Sequence, residues 1–276
     1  MSKLQDQVAV VTGAGRGIGR AIALQMAAAG ARVALVARSV DQLEETARLI
    51  TDAGGTALVV PTDVTDENAV RIMEQHVEAE LGAVDILVNN AGSFFAIGPI
   101  WQTDPAQWWR DMTINVLGVY LCCRELVPDM IEQGHGRIIN LIGGGTAGPL
   151  PYGSGYGTSK AAVMRFTETL AAEVKDYNIK VFAMGPGLVR TAMTEYQLES
   201  EAGQEWLPRI HQAFQDGVDV PPEAAGKLAV ELASGRFDAL HGRAVSVGFD
   251  HEAMEANVET ILARDLYTLR LNRLDA

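Results

Sequence analysis

Three glycines, Gly13, Gly17 and Gly19, stand between a compact apolar run at 7–12 and a segment at 17–29 in which Ile18, Ile22, Ala23 and Met26 recur at helical spacing. A buried strand that enters a helix through so tight a turn begins a strand–helix alternation, and the rest of the chain continues it. Residues 32–37 read as a strand and 40–53 as a helix. Residues 56–61 are strand-like and 67–81 helical, and 84–89 is a strand that stops at Asn-Asn-Ala-Gly. The spacing then predicts a long helix at 114–133, a strand at 136–142, a helix at 155–177 and a strand at 179–184.

Strands that are near-continuous apolar runs belong in a parallel sheet covered on both faces. The expected fold class is α/β: a single-domain, Rossmann-type doubly wound parallel sheet with helices on both faces. Residues 1–250 form its body, with 221–233 a helix and 243–247 a short closing strand. Residues 191–220, helix-prone and without a strand, have the character of a lid. Residues 251–276 form a C-terminal extension expected to pack on the domain or on a neighbouring subunit.

Composition narrows the function. The 276 residues carry a net charge of −13 and no Lys/Arg cluster, so neither nucleic acid nor an anionic membrane is an expected partner. No apolar run is long enough to span a bilayer, and residues 1–6 lack the apolar core of a signal peptide. Cys122 and Cys123 are adjacent and sit in a helical pattern, which fits a reducing compartment. A cytoplasmic protein is expected. No His/Cys/Asp grouping has metal-ligand spacing, so no metal is expected.

The turn itself reads T-G-A-G-R-G-I-G over 12–19. Glycines there allow close backbone approach to a pyrophosphate, whose charge the N–H groups and dipole of the next helix stabilise. A lone turn of this kind also serves as a plain strand–helix connector. The second strand ends at Ala37-Arg38-Ser39, with no acid for the adenine ribose hydroxyls of NAD. Arg38 and Arg16 place positive charge where a 2′-phosphate would sit, so NADP(H) is preferred over NAD(H); the alternative is two solvated surface arginines. Far downstream, Tyr156 precedes Lys160 by four residues, one helical turn. A phenol is a weak base near neutral pH, and a nearby ammonium favours its ionised form. Alone, the pair could equally be an ordinary surface one.

Taken together, T-G-A-G-R-G-I-G, Asp63-Val64, N-N-A-G at 89–92, Asn115, Y-G-T-S-K at 156–160, and Pro186-Gly187 with Thr191 stand in one order. In that order the chain resembles the short-chain dehydrogenase/reductase family over about residues 5 to 250. The resemblance implies an oxidoreductase interconverting a ketone or aldehyde and an alcohol by hydride transfer. Tyr156 would be the acid/base, Lys160 would bind the nicotinamide ribose and lower the tyrosine's pKa, and Asn115 would hold a proton-relaying water. Gly13, Gly15, Arg16, Gly17, Ile18 and Gly19 would cradle the phosphates. Arg38, Asp63 and Val64 would take the adenosine end, and Asn89, Ala91 and Gly92 the ribose side. Pro186, Gly187, Val189 and Thr191 would contact the nicotinamide. The helices at 115–133 and 157–177 resemble the family's dimerising pair, so a homodimer or homotetramer is expected.

One position departs from the pattern. The family places a serine thirteen residues before the tyrosine, and here that position is Gly143. Thr146 or Ser154 could supply the hydroxyl, or the N–H groups of Gly143, Gly144 and Gly145 could polarise a substrate carbonyl. The contrasting expectation is a non-catalytic NADP(H)-binding sensor or assembly subunit. Gly143, Gly144, Thr146, Ser154, Met193 and Tyr196 are the candidate substrate contacts for a small carbonyl or alcohol. Trp101, Trp108 and Trp109 could line a substrate pocket but are expected to pack a helix onto the sheet or a neighbour, and His251 is a candidate to reach the site from the tail.

Overall fold

Every residue of β1 (Val8–Thr12) is buried, and its two faces feed two cores. Ala9 and Val11 join Val33, Leu35, Ile139 and Phe182 on one side, while Val8 and Val10 join Ala34, Val36, Ile138 and Val181 on the other. A strand imposes that alternation, and burying both sets requires helices over both faces. A computed structural model of the protein describes residues 3–271 and shows those helices in place.

The remaining strands are β2 (Arg32–Ala37), β3 (Thr56–Pro61), β4 (Ile86–Asn89), β5 (Gly136–Leu141), β6 (Ile179–Gly185) and β7 (Ala244–Ser246). They form one parallel sheet in the order β3-β2-β1-β4-β5-β6-β7. The helices are α1 (Gly17–Ala28), α2 (Val40–Asp52), α3 (Glu67–Leu81), α4 (Pro105–Met112), α5 (Gly118–Gln133) and α6 (Ser154–Glu173), then α7 (Ala192–Glu199), α8 (Glu201–Trp206), α9 (Pro208–Gln215), α10 (Pro222–Ala233), α11 (His251–Ala256) and α12 (Val258–Ala263). Ile22 and Met26 of α1, Leu43 and Ile50 of α2, and Leu228 and Leu232 of α10 cover one face. Val70, Met73 and Val77 of α3, Leu126 of α5 and Val163 of α6 cover the other. Each such side chain contributes about 1.5–3 kcal/mol on burial. The observed α/β Rossmann-like architecture is the one the sequence pattern predicts.

The strand order reverses between β1 and β4: the chain runs outward from β1 to β3, then crosses back. A crevice opens at the carboxyl ends of the strands at such a switch point.

Two details differ from the sequence expectation, and the tail takes one of the two courses expected for it. Helical structure begins at Pro105 rather than 114. Asp104 caps α4 by accepting from the Ala106 N–H, with Pro105 in the first turn, and the helix passes through a π-helical turn, Thr113–Leu117, into α5. The helix expected at 155–177 stops at Glu173 and is followed by a 3₁₀ turn, Lys175–Tyr177. The tail packs on its own domain: Met254 and Ile261 enter the core, the Tyr267 carbonyl accepts from Ala244 at the open edge of β7 (2.9 Å), and Glu168 accepts from the Leu269 N–H (2.7 Å). The last part of the expected extension, 272–276, lies outside the described residues, as do residues 1–2 of the amino-terminal segment. Among the described residues no helix is long and apolar enough to cross a membrane.

Candidate active site

A cleft of about 740 Å³ lies at the switch point, within the range of small-molecule sites. Gly13, Gly15, Arg16, Gly17, Ile18 and Gly19 all line it. Gly17 has a φ of +55°, which side chains rarely adopt, and a Cβ on Gly19 would stand 2.2 Å from the Gly13 carbonyl oxygen. Substitution at either would push α1 off the turn. The residue before α1, Arg16, makes no side-chain cap, so the helix's leading N–H groups lack that internal acceptor. A glycine cradle ending in an uncapped helix fits a pyrophosphate.

Arg20, outside the motifs, and Thr12 and Asn90, motif residues given no role in the sequence reading, hold the cradle in shape. Arg20 donates from Nη2 to the Gly15 carbonyl at 2.6 Å and from Nε to Thr46 Oγ1 at 3.0 Å. Thr12 Oγ1 accepts from the N–H groups of Asn90 and Ala91, both at 3.0 Å, and Asn90 Nδ2 donates to the Thr12 carbonyl at 2.8 Å. This knot ties the end of β1 to the end of β4. It also corrects one expectation. Asn89 does not line the cleft; it is buried and donates to Asn140 Oδ1 at 2.9 Å. Asn90 lines the cleft instead, beside Ala91 and Gly92.

At the end of β2, Ala37, Arg38 and Ser39 form one wall, with Asp63 and Val64 opposite. Arg38 lies 3.9 Å from Asp63, with both side chains substantially exposed, so the pair adds little energy. Partial burial opposes ionisation of Asp63, but hydrogen bonds from the Thr65 N–H and hydroxyl, aided by Arg38, hold its carboxyl below the ordinary value. Arg16 is exposed at the same cleft.

Tyr156 and Lys160 share one face of α6 and both line the cleft. Lys160 Nζ donates to the Leu141 carbonyl at 2.8 Å and lies 5.6 Å from the centre of the Tyr156 ring. Burial draws the Lys160 ammonium down to about 8. Burial, with the Asp111 carboxylate adding to it, pushes the Tyr156 phenol up to about 12. Both causes act against ionisation of the phenol, opposite in direction to the lowering expected from Lys160.

Asn115 sits in the π-helical turn with no exposure. Its Nδ2 donates to the Ser93 carbonyl and to Ser159 Oγ, each at 2.9 Å, and its Oδ1 accepts from the Ser93 N–H at 2.8 Å. The side chain is thus spent on internal partners and does not line the cleft. Among the nicotinamide-end candidates, Pro186 and Thr191 line the cleft. Gly187 and Val189 do not: Gly187 packs on Val220, and Val189 is buried with its carbonyl taken by Thr194 Oγ1.

Of the substrate candidates, Met193 lines the cleft and Tyr196 stands back from it, edge-on to Phe95. Thr146 Oγ1 donates to the Gly143 carbonyl at 2.7 Å and accepts from the Gly143 N–H at 3.3 Å. Ser154 Oγ accepts from Trp108 Nε1 at 3.1 Å. Thr146 Oγ1 and the Gly143 N–H are thus engaged with each other's residue, Ser154 serves Trp108 as an acceptor, and none of Gly143, Gly144, Thr146 and Ser154 lines the cleft. The wall beside Tyr156 is built instead from Ser93, Phe95, Trp109 and Arg110. Trp109 and Trp101 are largely exposed rather than packed on the sheet; only Trp108 is partly buried. His251 stays in the tail, its Nε2 on the Ser246 carbonyl at 2.8 Å and its ring against Phe237. No group of side chains among the described residues could hold a metal ion.

Known proteins agree with this arrangement. Residues 7–202 match the family model described as short chain dehydrogenase. A short chain dehydrogenase of Pseudocercospora fijiensis is 38% identical over 193 residues, which are 69% of this chain and 62% of that protein. The 2-(R)-hydroxypropyl-CoM dehydrogenase of Xanthobacter autotrophicus is 38% identical over 211 residues, 75% of this chain and 84% of its own. Among solved structures, a gluconate 5-dehydrogenase from Burkholderia cenocepacia in complex with NADP and tartrate superposes with a TM-score of 0.79 at 29% identity, covering 93% of this chain and 96% of that one. The chain belongs to the short-chain dehydrogenase family, whose members are oxidoreductases of NAD(P) acting on small molecules.

Proposed function

We propose that the protein is an NADP(H)-dependent enzyme that interconverts a ketone or aldehyde and the corresponding alcohol. The observation that carries this reading is the placement of Tyr156 and Lys160, one turn apart on α6, on the wall of the same cleft as the glycine cradle. The nicotinamide, when bound, supplies or accepts the hydride at its C4 carbon. The protein's part is positional and protonic. Gly13 to Gly19 and the start of α1 hold the pyrophosphate, and Arg38 and Arg16 face the 2′-phosphate. Lys160, with one proton committed to the Leu141 carbonyl, turns its remaining N–H groups to the nicotinamide ribose.

Tyr156 Oη gives its proton to the substrate oxygen in reduction and recovers it from the alcohol in oxidation. Burial raises the phenol to about 12, so near neutral pH it carries the proton that reduction delivers to the substrate oxygen. Asn115 acts through its buried bonds to Ser93 and Ser159, fixing the turn beside the phenol. Gly143 stands at the family's serine position, so no hydroxyl from that residue assists the substrate oxygen.

That last feature favours a second reading, a non-catalytic NADP(H)-binding protein, since neither Thr146 nor Ser154 lines the cleft. Incubation with NADPH deuterated at C4 and a panel of acetoacetate esters, 1,2-diketones, aryl ketones and polyol-derived ketones separates the two. Deuterium on the carbinol carbon of a product supports the enzyme. Tight NADPH binding with no labelled product from any compound supports the binding protein.

A further inference from the structure

Phe94 lies flat on Tyr156, with ring centres 4.5 Å apart and planes 9° from parallel. Phe94 is only 6% exposed, so it covers one face of the phenol and shuts water from it. Two glycines make room for the pair. A Cβ on Gly143 would stand 2.4 Å from Tyr156 Oη, and one on Gly153 would stand 2.5 Å from Phe94 Cζ. Neither glycine has a left-handed φ, so the constraint at both is space. The phenol oxygen fills the volume that a side chain at 143 would claim.

The loop that carries Phe94 is fixed by a carboxylate that sees no solvent. Asp111 on α4 is 0% exposed. It accepts from Ser93 Oγ at 2.7 Å and from the N–H groups of Phe95 and Ala96, both at 2.9 Å. A buried carboxylate is tolerated only with such partners. Because they lie on either side of Phe94, they also set where that residue sits.

Resting on the reading of Tyr156 as the proton-transfer group, we infer that Phe94 is a positioning residue: it holds the phenol by stacking, in the space left open at Gly143, with Asp111 anchoring its loop. Glycine at 143 then leaves the phenol oxygen this place, and a side chain there has to move it.

The test uses the full chain labelled at its tyrosine rings, followed by NMR without substrate. The Tyr156 signals are those lost in Tyr156→Phe. In the native protein the Phe94 ring current shifts them upfield. Phe94→Leu, which keeps an apolar side chain, returns them to the ordinary tyrosine region. Gly143→Ala and Gly143→Ser both move them, and with the fastest compound of the ketone panel both cut kcat at least about tenfold, roughly 1.4 kcal/mol of barrier, while NADPH affinity stays native. Melting temperature and NADPH fluorescence show that each variant is folded. Tyr156 signals at ordinary positions and indifferent to Phe94→Leu overturn the inference, as does a Gly143→Ser enzyme faster than the native one. Signals that move as expected while turnover does not change overturn the proton-transfer reading and leave the stack standing.

Discussion

Thr12 Oγ1 accepts the backbone N–H groups of Asn90 and Ala91 at 3.0 Å each, while the Asn90 side chain returns a bond to the Thr12 carbonyl at 2.8 Å. This knot ties the glycine cradle to the part of the cleft wall that follows β4. Valine at position 12 keeps the volume but removes the acceptor of the Ala91 N–H and leaves the Asn90 N–H only the Val88 carbonyl at 3.1 Å, a loss of about 1–3 kcal/mol. Thr12→Val is expected to lower urea-unfolding stability by that amount and to weaken NADPH binding about tenfold, roughly 1.4 kcal/mol; titration of NADPH fluorescence measures the second effect.

Arg38 stands at the end of β2, where Ala37 offers no carboxylate. On the proposed NADP(H) reading, removing its exposed guanidinium takes a partner from the 2′-phosphate and little from a bare ribose. Arg38→Ala is expected to weaken NADPH binding about tenfold and leave NADH binding within about twofold. Ala37→Asp, adding an acid for the ribose hydroxyls, is expected to reverse the preference. Equilibrium titrations of the two cofactors read both outcomes.

A different part of the molecule reports on pH. Burial, then the charges of Asp129, Glu78 and Glu125, raise Glu74 from an ordinary 4.5 to about 7. The folded protein therefore binds more protons than the unfolded chain between those values and loses stability as pH rises through them. Glu74→Gln removes that cost. Its melting temperature should exceed the native one above about pH 7, and the gain should shrink on acidification until it vanishes near 4.5.

Much of the fold was legible because burial on both faces leaves an unbroken apolar run in the strands, and a strand–glycine–helix turn has few structural uses. The site was legible where chemistry is local: the cradle, Arg38, and the Tyr156–Lys160 spacing. It failed where two neighbouring residues face opposite ways. Asn89 and Asn90 are alike in sequence, yet the strand direction at the end of β4 turns the first toward Asn140 and the second to the cleft. The start of α4 was announced by Asp104-Pro105, a cap followed by a first-turn proline, but the tryptophans after it obscured the helical period. Asp111 and Phe94 carry no local signal at all. An aspartate on a helix reads as solvated until three donors from a distant loop are seen converging on it. Equally, the sequence could not show that Phe94 would lie flat on the Tyr156 ring.

The central claim is that the Tyr156 hydroxyl carries the proton while the rest of the cleft only holds the reactants. Replacing Tyr156 with phenylalanine keeps the ring and removes that atom. With saturating NADPH and the fastest compound of the ketone panel, Tyr156→Phe should lower kcat by about 10²–10⁴-fold with the NADPH dissociation constant unchanged. A variant that turns over at the native rate would contradict the account.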